Sequence, residues 1–171
     1  MRRTLGILGG LALGLCLSQF PEYAQQYTQR LGGAVDELRI VTQRFDSNAA
    51  AAGLDRQQAL ERYTTSTDGF ILTQGDGEAA NFVRLEQLSQ LLTRVQNADP
   101  IERFQALPAY LDTDIGRRTL ENYKPAVPVT MEGILYAGAG LILGYLIMSG
   151  IWRFCAMPVK QWRKRRYAAY R

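Results

Sequence analysis

The chain has 171 residues, 20 Lys and Arg against 16 Asp and Glu, no histidine and two cysteines, a length that suits one unit. With no histidine anywhere and no cysteine between residues 20 and 130, zinc sites of the usual ligand types and His-dependent catalytic arrangements are excluded. The net charge of +4 divides into +2 over residues 1–19, −4 over 20–130 and +6 over 131–171, so the basic balance belongs to the two ends. It points to an anionic membrane surface before nucleic acid.

Met1-Arg2-Arg3 precedes an apolar segment, Leu5 to Leu17. A cleavable signal peptide wants small residues at −3 and −1, yet Ala24 has Glu22 two before it. A lipoprotein site at Cys16 would want Gly or Ala where Leu15 stands. An uncleaved anchor is the expectation. Gly6, Gly10 and Gly14 recur at intervals of four, which makes a groove where two helix backbones can approach.

From Pro21 to Tyr123 good helix formers dominate and strand-like alternation is nearly missing. Ala24, Tyr27, Leu31, Ala34, Leu38, Val41 and Phe45 recur in steps of three and four, predicting a seam on a first helix from Pro21 to the Ala run before Gly53. That helix would be roughly 45–50 Å long at 1.5 Å per residue. Gly32-Gly33 interrupts it as a weak point or a place of close approach. Asp55 with Gln58 forms a capping box for a second helix through Ala59, Leu60 and Tyr63. The glycines of Ser66 to Gly77 predict a loop, after which Asp76 caps a third helix carrying Phe82, Leu85, Leu88, Leu92 and Val95. Asp99-Pro100-Ile101-Glu102 starts a fourth helix, which should bend at Pro108 and restart at Asp112-Thr113-Asp114 to end at Tyr123. Lys124 to Pro128 reads as an extended connector, and Thr130 as the cap of the next helix.

Gly133 to Trp152 gives 20 residues without a charge, enough to cross a hydrocarbon core, and Trp152 and Arg153 close it as interfacial anchors. Ala137, Gly140 and Gly144 continue the small-residue theme, either as a face for a partner or as the seat of the first span. Cys16 and Cys155 read as small buried or interfacial residues at opposite membrane faces, beyond reach of a disulfide. The tail mixes Lys160, Arg163, Lys164, Arg165 and Arg166 with aromatic residues and suits anionic lipid headgroups, at about 1 kcal/mol per cation.

Other polar clusters have plainer readings. Asp68-Gly69 and Gly75-Asp76-Gly77-Glu78 lack calcium-loop spacing and read as turns and caps. Asp112, Asp114, Arg117 and Arg118 read as exposed charges at a helix start, and Ser18 has no base to activate it. No catalytic, cofactor or metal residues are expected.

The pattern is that of an all-α membrane protein with two transmembrane helices bracketing a periplasmic helical bundle of about four helices, the first long. The segments are an anchor over 1–19, a periplasmic domain over 20–130, a second span over 131–155 and a basic cytoplasmic tail over 156–171. Basic flanks stay inside, so both termini are expected in the cytoplasm and the middle in the periplasm. Helices alternating out and back would return the chain to the membrane face where the second span begins. The segment from Gln19-Phe20-Pro21 through Gln26-Tyr27, Gln29-Arg30 and Leu31-Gly32-Gly33 resembles an uncharacterised proteobacterial inner-membrane family, domain of unknown function 2937. Length, late second span and basic tail agree with it. The resemblance implies a Gram-negative inner membrane and supplies no activity. The leading expectation is a non-enzymatic scaffold, accessory subunit or assembly factor, with a protein partner or self-association, an anionic bilayer and no nucleic acid. The alternative is a periplasmic ligand-sensing or signal-relay module working through a partner.

Overall fold

The computed structural model describes residues 2–111, 113–127 and 129–168, with side chains described over 3–111, 113–127 and 129–155. Every regular element among them is a helix: α1 Arg2–Ser18, α2 Phe20–Ala51, α3 Arg56–Thr64, α4 Gly69–Asn97, α5 Pro100–Gln105, α6 Leu107–Leu111, α7 Asp114–Glu121 and α8 Met131–Ala168. The chain divides into two compact units, one of residues 1–24 with 123–171, the other of residues 25–122.

The first unit is an antiparallel pair. Gly6 of α1 meets Tyr145 and Ser149 of α8, Gly10 meets Leu141, and Gly14 meets Ala137 and Leu141, so α8 numbers fall as α1 numbers rise. Phe20 continues the register with an edge-on contact to Tyr136, ring centres 5.6 Å apart. The outward faces are apolar and exposed, with Ile7, Leu8, Leu11 and Leu15 on α1 and Ile134, Leu135, Ile142 and Leu146 on α8. Two helical stretches, Arg3–Ala51, which contains α1, and Met131–Cys155 of α8, are long and apolar enough to cross a membrane. Cys16 and Cys155 are free and exposed, which removes the buried alternative of their sequence reading and leaves the interfacial one. Thr130 caps α8 as its sequence suggests, its hydroxyl accepting from the Gly133 N–H at 3.1 Å.

The second unit holds two long helices where four of similar role are predicted. α3 has nine residues, about 13 Å, too short to retrace α2; the long return is the 29-residue α4. Rings fix the pairing: Phe45 of α2 packs edge-on against Phe82 of α4 at 5.4 Å, with Tyr63 of α3 at 6.3 Å. Farther back along α2, Tyr27 stacks on Tyr110 of α6 at 4.9 Å.

The buried line of α2 in this unit runs Tyr27, Leu31, Val35, Thr42, Phe45 and Ala49. Leu38 and Val41 are half-buried, as is Ala34, so the predicted heptad slips by one at two points. A straight helix repeats every 3.6 residues, and its buried face drifts away from a strict seven-residue pattern. Thr42 stands where sequence favours Val41; its hydroxyl is satisfied by the carbonyls of Leu38 at 3.0 Å and Arg39 at 3.1 Å. α2 then closes as expected at Gly53, whose φ of 72° is costly for any other residue type but asparagine. Leu54 N–H donates to Ala49 O (3.0 Å) and Gly53 N–H to Ala50 O (2.9 Å), closing the end in a Schellman pattern.

The predicted loop from Ser66 to Gly77 is mostly helix. Asp68, not Asp76, caps α4 by accepting from Phe70 N–H at 2.8 Å. Gly75 is buried in that helix because a Cβ there would run into Tyr63. Its glycine serves packing, and packing outweighs the propensity cost of about 1 kcal/mol. The Asp99–Glu102 capping box starts α5 as predicted. The break comes at Ala106, so Pro108 sits in the first turn of a new helix, where its missing N–H costs nothing. Thr113 caps α7 by accepting from Gly116 N–H at 2.9 Å, and Asp112 lies outside the described residues.

Candidate functional site

The packing residues that sequence singles out gather in one place, beside a polar clasp and cavities that sequence does not point to. In the first unit the predicted packing residues Gly6, Gly10, Gly14, Ala137, Gly140 and Gly144 meet in one interface, between two helices of the same chain. A Cβ on Gly10 would stand 2.6 Å from Leu141 O, on Gly14 2.8 Å from Ala137 O, and on Gly140 2.7 Å from Gly14 Cα. These faces are filled by each other. Gly9 joins them opposite Met148 and Gly144, a residue that the regular spacing of four passes over.

A polar clasp closes the same unit. The Gln19 side chain pairs with the Ala126 backbone in both directions: Oε1 accepts from its N–H (3.2 Å) and Nε2 donates to its carbonyl (3.1 Å). The Tyr123 hydroxyl reaches Gln19 Oε1 at 2.9 Å and the Gln19 carbonyl at 3.2 Å. Burial raises the Tyr123 pKa, helped by the nearby Glu22 carboxylate, so the phenol stays a donor at neutral pH. Gln19 opens the segment that carries the family resemblance, but no local pattern points to its partners, which lie more than 100 residues away. Ser18 beside it is buried, its hydroxyl donating to Leu15 O at 2.8 Å within its own helix.

Two cavities of the second unit carry charged residues in their lining. One, about 380 Å³, is mainly apolar and lined by Tyr27, Leu91, Val95, Ala106, Ala109 and Tyr110, with Arg94 and Glu102 among its charged residues. Burial raises the pKa of both Tyr27 and Tyr110; the nearby Thr113 and Arg103 respectively oppose that rise. The other, about 350 Å³, lies between α2, α3 and α4. Val41, Phe45, Leu54 and Tyr63 form its apolar walls, Ala49, Ala52 and Ala59 leave its space, and Arg44, Arg62, Asn48 and Glu78 supply its polar groups. Beside it, Arg56 grips Asp46 with two hydrogen bonds of 2.8 and 2.6 Å and lies 4.2 Å from the centre of the Phe82 ring. That bond holds the Asp46 carboxyl below its usual range and raises Arg56.

Of the predicted seam, Tyr27, Leu31 and Phe45 are buried, and Leu38 and Val41 half-buried. The side chains of Lys160, Arg163, Lys164, Arg165 and Arg166 lie outside the described residues, although the α8 backbone continues through Ala168. Asp114 pairs with Arg117 at 2.6 Å, both exposed. Among the described residues no three acidic, cysteine or histidine side chains gather as a metal site would need.

No curated protein and no solved structure matches the chain. The family model described as Protein of unknown function (DUF2937) matches residues 1–161, from the first glycine face through the second span, and the chain belongs to that family.

Proposed function

We propose that this protein is a non-enzymatic inner-membrane component with both basic flanks in the cytoplasm and residues 20–130 in the periplasm, acting as scaffold, accessory subunit or assembly factor of a membrane complex. The observation that carries the reading is the matched register of α1 and α8. Thr4 to Pro21 and Gly133 to Trp152 are charge-free stretches of 18 and 20 residues. Their antiparallel pairing puts Arg3 and Arg153 at one end, with Glu22 and Glu132 at the other. Each stretch measures about 27–30 Å, the thickness of a hydrocarbon core. Such a pair supports a hairpin whose basic end stays inside.

Because the glycine faces are occupied by each other, a protein partner or second copy would meet other surfaces. The lipid-directed faces and the polar second unit are the ones left for contact, while anionic headgroups would hold the basic tail. A reporter active only in the periplasm should work when fused after Gly53 and be silent after Arg171; activity at Arg171 would overturn the topology. Mild-detergent purification should bring down a stoichiometric partner, and a lone monomer would count against a scaffold. A second reading, a ligand-sensing module relaying through a partner, is favoured by the charged cavity between α2, α3 and α4.

A further inference from the structure

We infer that this cavity binds a small zwitterionic amphipath of about dipeptide size, with an ammonium at one end and a carboxylate at the other. The inference rests on the sensing reading and names its site and ligand class. The volume, about 350 Å³, lies in the range of small-molecule sites, roughly 300–1,000 Å³. The space is built into the fold: α2 ends at Gly53 with only alanines at 49 and 52 facing the gap, α3 contributes Ala59, and Gly75 lets α4 close on Tyr63.

The charges select the ligand. Asp46 and Arg56, neighbours on α2 and α3, are paired with each other, so opposite charges in this region do find partners when geometry allows. Half-buried Glu78 and the exposed Arg44 and Arg62 line the cavity, and among the described residues none of their side chains makes an ion pair or hydrogen bond. Glu78 Oε2 is shielded from solvent and accepts from no described residue. A shielded carboxylate oxygen is stabilised by a cationic donor, and guanidinium groups by a carboxylate. A purely anionic ligand would meet Glu78 and a purely cationic one would meet two guanidiniums. A molecule carrying both charges satisfies all three, while its apolar body rests on Phe45, Tyr63 and the alanines.

The test is calorimetric titration of the full-length protein in a mild detergent with the dipeptide alanyl-phenylalanine. Saturable binding is expected, weakened roughly tenfold or more by acetylating the amine, by amidating the carboxylate, by Glu78→Gln and by Arg44→Ala with Arg62→Ala. Ala59→Leu should fill the cavity and abolish binding; Glu78→Gln, nearly isosteric, carries the test if that variant fails to fold. No saturation by about 10 mM dipeptide overturns the site, since such binding is worth less than 3 kcal/mol. Equal binding of the capped dipeptides overturns it too. Binding without any change in a co-purified partner would leave the site standing and remove the sensing role.

Discussion

The two units solve opposite packing problems. In the α1–α8 pair the side chains are deleted so that backbones touch: Gly10, Gly14 and Gly140 each lie where a single added carbon would collide with the other helix. Among α2, α3 and α4 the small residues Ala49, Ala52 and Ala59 line a cavity, with Ala49 and Ala59 buried beside Phe45. The same class of side chain closes one interface and opens the other. What differs is the neighbour: an antiparallel run of backbone in the first case, and large rings at Phe45, Tyr63 and Phe82 in the second, which prop the helices apart. Smallness by itself therefore says little until the facing element is known.

Substitutions can break that contrast. Gly140→Leu should do the most damage, since its side chain would have to displace Gly14 and the Leu13 carbonyl; a loss of about 3 kcal/mol or more is expected. Hydrogen exchange should show the loss confined to α1 and α8, and equal loosening of α2–α4 would argue that the two units are one. Phe45→Ala removes a prop of the second unit and should cost about 3 kcal/mol, read as a lowered thermal midpoint. If the protein instead tolerated it within a few tenths of a kcal/mol, the rings would not be what spaces these helices. Gln19→Ala gives up the paired contact with Ala126 and that with Tyr123, together about 2 kcal/mol. Limited proteolysis should then cut the connector after Tyr123 sooner than in the parent.

The smallest effect concerns pH. Asp46 has a lowered pKa in the folded state through its hydrogen bond to Arg56, so the pair's stabilisation is complete above the unfolded value of about 4. It fades as pH falls below that value and through the folded one. Because both groups are partly exposed, about 0.5 kcal/mol is at stake. Asp46→Asn should flatten the stability profile below about pH 4, and an unchanged slope would remove the pair from the account.

Local chemistry proved the most readable part of the chain. Capping at Asp55 and Asp99, the stop at Gly53 and the cap at Thr130 depend on residues within five positions of each other, and all can be seen in sequence. Gly75 could not be read that way, because its reason is the Tyr63 ring of another helix. Nor could Thr42, which looks polar until its own helix takes up the hydroxyl proton. The glycine positions were visible by spacing, yet which surface they met was left open between partner and self. Least visible were Gln19, whose partners lie across the chain, and the cavity, which depends on three helices at once.

The two free thiols give the antiparallel pair a property of practical use. Gly14 packs at Ala137, so Cys16 lies level with about residue 135 of α8, some 20 residues and about 30 Å from Cys155. As the sole thiols of the chain, both exposed, they form a built-in two-point depth gauge. Maleimides of graded water solubility, applied to sealed vesicles, would report the immersion and sidedness of each end without any engineered label.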